Sequence, residues 1–175
     1  MSAQFICGGN KFVVGGPGLE TIALPISVSG LSATIKVEGC ELALRPDFHV
    51  SLVCIGKIME KHSVTLPNFR ERVIEDFCGY VQYNDINLLK YNDEFRFASK
   101  DEKRSVVVMC DISNLQGFFN LINKKYSLRI EYPPTHVTLY TLQTDRPGIP
   151  LTDGEDLKKL TKIIPPPFES KLLNF

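Results

Sequence analysis

An α+β fold with mostly antiparallel strands, and helices covering the sheets, is what this 175-residue sequence predicts. Three observations carry the expectation. Short runs of β-branched and apolar residues recur along the chain, punctuated by Gly, Pro, Asn and Asp. Two stretches, one around Val73 and one around Phe118, place their apolar residues at helical spacing instead. The resulting order is strands, helix, strands, a fully apolar strand, helix, strand, helix.

Length and composition agree with one soluble domain over 1–175, or two small lobes sharing a core. Lys+Arg and Asp+Glu stand at 20 each, so the formal net charge is zero. That balance argues against gripping long nucleic acid through many phosphates, which needs a basic excess. The five cysteines are scattered without a Cys-x-x-Cys pair or zinc spacing, so reduced thiols, no metal, no cofactor and a cytoplasmic setting are expected. No apolar stretch reaches the length of a membrane span, and no signal-peptide pattern opens the chain. No feature calls for an oligomer, and a monomer is expected.

Taken in order, residues 5–18 read as short strands around Gly8-Gly9 and Gly15-Gly16-Pro17-Gly18. These glycines lack the Lys-Ser/Thr of a phosphate loop and read as turns. Thr21–Val28 is a strand, Ser29-Gly30 a turn and Ala33–Val37 its hairpin partner. Cys40–Leu44 leads through Arg45-Pro46-Asp47 into a strand over 48–55, which Gly56-Lys57 should close. Pro67–Tyr80 is a helix, with Phe69, Val73, Ile74 and Phe77 inward and Gly79 near its end. Tyr80–Tyr91 and Glu94–Ser99 read as strands about a turn at Asn92-Asp93. Lys100–Lys103 is a turn into Ser105–Ile112, whose unbroken Val-Val-Val-Met-Cys run predicts a central strand buried on both faces. Ser113-Asn114 precedes a helix from Leu115 to Tyr126. The run Pro133–Thr141 follows as a strand, then a helix over Asp153–Ile164 that Pro165-Pro166-Pro167 stops.

One tetrapeptide pattern occurs twice: His49-Val50-Ser51-Leu52 and His136-Val137-Thr138-Leu139, each shortly after proline. Both lie in β-branched runs, so alternation sends the imidazole and the hydroxyl to one face and the aliphatic pair into a core. Two imidazoles and two hydroxyls suit phosphoryl chemistry without a metal. A neutral imidazole accepts a proton from the attacking oxygen while a protonated one supplies the leaving oxygen. Ser51 and Thr138 can donate to non-bridging oxygens as charge builds on them. A lone His-x-Ser in a strand is usually a surface or core histidine. Two copies, using two of the three histidines, are not easily coincidence. The third, His62, lacks the hydroxyl at i+2 and reads as a loop histidine.

With these motifs the sequence resembles the two-histidine (2H) phosphoesterase superfamily, which includes RNA 2′,3′-cyclic phosphodiesterases and 2′–5′ RNA ligase-like proteins. The resemblance implies a bilobal fold, with two antiparallel sheets lining a central groove, helices packed outside, and one motif in each pseudo-symmetric lobe. It implies His49, His136, Ser51 and Thr138 as catalytic residues, the first motif carrying Ser where many relatives have Thr. The implied activity is a phosphodiesterase acting on a cyclic or 2′–5′ phosphodiester of a nucleotide or short RNA end. A nucleotide- or RNA-binding module using the same pocket is the competing class. Around the motifs, Tyr140, placed by alternation on the face of His136 and Thr138, is a candidate to wall the pocket or stack a base. Arg104, Lys57 and Arg146 are candidates to hold a phosphate, each weighed against simple solvation.

Overall fold

The structure, a computed structural model, describes residues 3–7, 9–15, 20–145 and 148–168. Among the described residues it is a mixed α+β chain with four helices and a mostly antiparallel sheet. Contacts divide it into two compact units, Met1–Pro25, Ser51–Leu89 and Ile112–Pro133 in the first, Ile26–Val50, Lys90–Asp111 and Pro134–Phe175 in the second. The division does not give each unit one motif. His49 and His136 both fall in the second, because the boundary cuts the first motif between Val50 and Ser51.

In the first unit, β1 (Ala3–Cys7) pairs with β2 (Asn10–Gly15), and β2 with β3 (Thr21–Ile26). Three helices join them: α1 (Ile55–Lys61), α2 (Phe69–Val81) and α3 (Leu115–Tyr126). Apolar residues at i, i+4, i+8 and i+12 give α2 one buried stripe of Phe69, Val73, Phe77 and Val81. Phe77 meets Phe12 and Phe118 edge-on, with ring centroids 4.9 and 5.2 Å apart, the geometry favoured by aromatic quadrupoles. The α3 helix keeps its expected bounds and buries Phe118, Phe119 and Ile122. Gly79 lies within α2 rather than after it.

Two expectations are corrected in this unit. The segment Gly56-Lys57 does not simply close a strand but belongs to α1. A Cβ at Gly56 would stand 2.6 Å from the Glu20 carboxylate, so a side chain there would displace that carboxylate. The thiols are not all reduced: Cys7 and Cys78 form a disulfide between β1 and α2, while Cys40, Cys54 and Cys110 are free. Scattered spacing hid this pair, which only the packing of α2 against β1 brings together.

The second unit contains the site. Here β4 (Thr34–Val37) and β5 (Cys40–Leu44) form a hairpin through Glu38 and Gly39, both at positive φ as a two-residue turn requires. The expected hairpin between β3 and β4 is thereby corrected. Strand β9 (His136–Thr141) lies beside β8 (Lys103–Ile112) on one edge. Its other edge is shared by β5 and by β6 (Phe48–Cys54). Beyond β8 come β7 (Leu88–Lys100) and β10 (Thr161–Ile164). The run Val106–Cys110 of β8 is buried throughout, as its composition predicts. Ala98, Val107, Met109, Ile149 and Leu151 form a cluster that α4 (Gly154–Leu160) covers with Leu157 and Leu160.

Elsewhere the structure departs from local pattern. Tyr80 and Val81 finish α2, and β7 runs unbroken through Asn92-Asp93 with Asp93 at φ 50°. The final helix starts as expected, with the Asp153 carboxylate accepting from the Asp156 amide. It stops at Leu160, because the β-branched segment Thr161–Ile164 pairs with Ala98–Phe95 as a strand. Among the described residues no helix is long and apolar enough to cross a membrane.

Candidate functional site

Strand pairing sets the site's geometry. Val50 on β6 is the partner of Val137 on β9, and both are fully buried. Antiparallel register then puts His49 opposite Thr138. His136 is opposite Met109 on the other edge. Side chains alternate faces, so His49, His136 and Thr138 share the face turned away from the two valines. His49 and His136 are diagonal neighbours, a relation that spaces residues by about 7–8 Å. The His49 charge is one of the influences lowering the pKa of His136.

Each imidazole has a distinct setting. His136 Nδ1 lies 2.7 Å from the Pro134 carbonyl oxygen. A carbonyl only accepts, so Nδ1 carries the proton and neutral His136 presents the lone pair of Nε2. Burial is the largest influence on His136 and lowers its pKa below 6.5; the Pro134 bond works against it, and His49 adds to the lowering. His49 keeps an exposed edge. The protein packed about its ring still lowers its pKa, Asp47 opposing the shift and Arg45 reinforcing it. At neutral pH both imidazoles therefore favour the uncharged form.

Thr138 is half-buried, and Gly148 lies close over it: a Cβ on Gly148 would stand 3.4 Å from Thr138 Oγ1. Val107 and Met109, the β8 partners of Thr138 and His136, are apolar neighbours on the same face, covered in part by Ile149 and Leu151. Ser51 follows His49 by two residues on β6, on the same face of that strand, and is half-buried. It belongs to the first unit.

Tyr140 is not on the face of the imidazoles. Val106 partners Tyr140 while its neighbour Val107 partners Thr138, a β-bulge that inserts Leu139. Adjacent residues of β8 face opposite ways, so Thr138 and Tyr140 do as well. Tyr140 is fully buried, and its hydroxyl donates to the Ser32 carbonyl at 2.9 Å. Its expected role as a pocket wall is corrected to core packing.

The basic candidates are dispersed. Arg104 donates to the carbonyls of Asp101 and Lys103 at 2.6 and 2.7 Å, holding the turn before β8. It is five residues from Met109, the partner of His136, or about 16 Å along the strand. Lys57 sits on α1 in the first unit, paired with Glu60. Arg146 lies outside the described residues. His62 caps the end of α1, its amide donating to Ile58, and is in the first unit.

One cation was not singled out by any motif. Arg45 extends β5, its amide donating to the Leu139 carbonyl at 2.9 Å. Ala43 partners Thr141, Thr141 partners Ser105, and Ser105 shares a face with Val107 and thus Thr138. Alternation from Ala43 places Arg45 on that face too. Its side chain is 13% exposed; Nη1 donates to Thr144 O at 2.8 Å, and Nη2 lies 3.8 Å from Asp47. The detectable signal was a charged residue beside proline at a strand entry, which carries no chemistry by itself.

Compared with family models, with curated proteins and with solved structures, the chain matches none.

Proposed function

We propose that this protein is a metal-independent phosphodiesterase that hydrolyses a cyclic or 2′–5′ phosphodiester of a nucleotide or RNA end. The observation that carries the reading is the pair of imidazoles on one face of adjacent strands with a hydroxyl opposite one of them. Neutral His136 accepts a proton from water at Nε2 as the water oxygen bonds to phosphorus. Protonated His49 gives its proton to the ribose oxygen as the P–O bond breaks. Thr138 donates to a non-bridging oxygen, whose negative charge grows in the transition state. The 2H resemblance supports the same assignment and adds Ser51 as a second hydroxyl. It also carries the bilobal architecture, which belongs to this proposal.

Turnover of a phosphodiester panel with EDTA present tests it: 2′,3′-cyclic nucleotides, 2′–5′ and 3′–5′ dinucleotides, cyclic dinucleotides and RNA ends. Cleavage of at least one member, reduced by about 10²–10⁴ in both His49→Ala and His136→Ala, is the expected result. Nucleotide binding without turnover of any member would replace the enzyme with a binding module.

A further inference from the structure

We propose that Arg45 is a substrate-binding residue of this site: its guanidinium takes a non-bridging oxygen of the phosphodiester beside His49 and Thr138, and Asp47 is the counter-ion that the substrate displaces. The inference rests on the phosphodiesterase reading above and adds to it a cation that does not lose its charge during the reaction.

The placement comes from the sheet. Arg45 and His49 approach the same edge of β9, one opposite Leu139 and the other opposite Thr138, with Pro46-Asp47 bending between β5 and β6. Both side chains lie on the face of Thr138. The guanidinium is close enough to His49 to oppose its protonation. The Thr144 carbonyl holds Nη1, and Gly148 lies beside Thr138 Oγ1.

The chemistry needs such a group. A His49 that gives up its proton as the P–O bond breaks, a neutral His136 and a hydroxyl leave the phosphodiester anion without a lasting positive partner as its charge spreads in the transition state. An arginine, always charged and forked, matches two oxygens of a phosphate. Arg45 is mostly buried and anchored by Thr144, whereas Asp47 is 74% exposed and 3.8 Å away, beyond hydrogen-bond length. A phosphate oxygen can take the place of that solvated carboxylate while Nη1 keeps its bond to Thr144.

The experiment compares KM and kcat on the panel substrate, and the Kd of inorganic phosphate, for the unaltered chain, Arg45→Gln, Arg45→Lys and Asp47→Asn. Arg45→Gln should raise KM and phosphate Kd by on the order of tenfold, the size of one charge-assisted hydrogen bond, with a smaller change in kcat. Arg45→Lys should recover part of that loss. Asp47→Asn should tighten phosphate several-fold, a gain that damage to the fold cannot produce, and this arm stands even if Arg45→Gln fails to fold. Turnover that requires both histidines, with KM and phosphate Kd unmoved by Arg45→Gln and Asp47→Asn, overturns the role of Arg45 and leaves the phosphodiesterase intact. Absence of turnover, with phosphate weakened by Arg45→Gln and tightened by Asp47→Asn, supports the anion site while overturning the enzyme. Neither effect overturns both.

Discussion

Reducing the Cys7–Cys78 bond should cost the protein a large part of its stability. The bridge closes a loop with a sequence separation of 71 residues. Loop-closure entropy for that length comes to about 4 kcal/mol at 25 °C on the chain-entropy relation. For a chain of this size such a loss lowers Tm by about 10 °C. The assay is urea and thermal unfolding with and without a phosphine reductant, alongside Cys78→Ser, which leaves buried Cys7 in place. Thiol titration in denaturant supplies the internal control, giving three reactive thiols before reduction and five after. Midpoints that stay within about 1 °C on complete reduction would refute the reasoning. Five reactive thiols without reductant would refute the bridge itself.

Tyr140→Phe should retain turnover and lose about 1 kcal/mol of stability in urea unfolding, because the hydroxyl serves the Ser32 carbonyl and not the site; a loss of kcat above tenfold would return Tyr140 to the pocket. Stability should fall as pH drops below 6.5, since the folded state holds both imidazoles at lowered pKa and the unfolded chain binds protons first. The loss should grow until the folded imidazoles themselves protonate and should shrink in His136→Ala, measured as denaturation midpoint against pH. For the same reason the bell-shaped rate profile should be centred on the acid side of 6.5. Gly148→Val should reduce kcat more than it reduces stability, by crowding Thr138 Oγ1.

Several elements of both units were legible because single residues decide little there. The run Val106–Cys110 is apolar on both faces and could only be a central strand. The Leu115–Tyr126 helix has one apolar stripe and a turn before it. The paired motifs marked the imidazoles, since alternation in a β-branched strand is a local rule. What was hidden depends on partners far along the chain. An inserted Leu139 reverses the face of Tyr140, and nothing in His-Val-Thr-Leu-Tyr announces a bulge. Residues Thr161–Ile164 continue a helical pattern until β7 offers them a strand partner. Arg45 joins the site only through the return of the chain along β9, and Cys7 meets Cys78 only through α2 packing on β1.

The most direct test of the central claim, that His49 and His136 form one acid–base pair, needs no substrate. Imidazole titration by long-range proton–nitrogen NMR should show both rings with pKa below 6.5 and His136 in the Nδ1–H tautomer when neutral. In His49→Ala the pKa of His136 should rise, since the neighbouring charge that lowers it is gone. A His136 that titrates at or above 6.5 and ignores the removal of His49 would contradict the account.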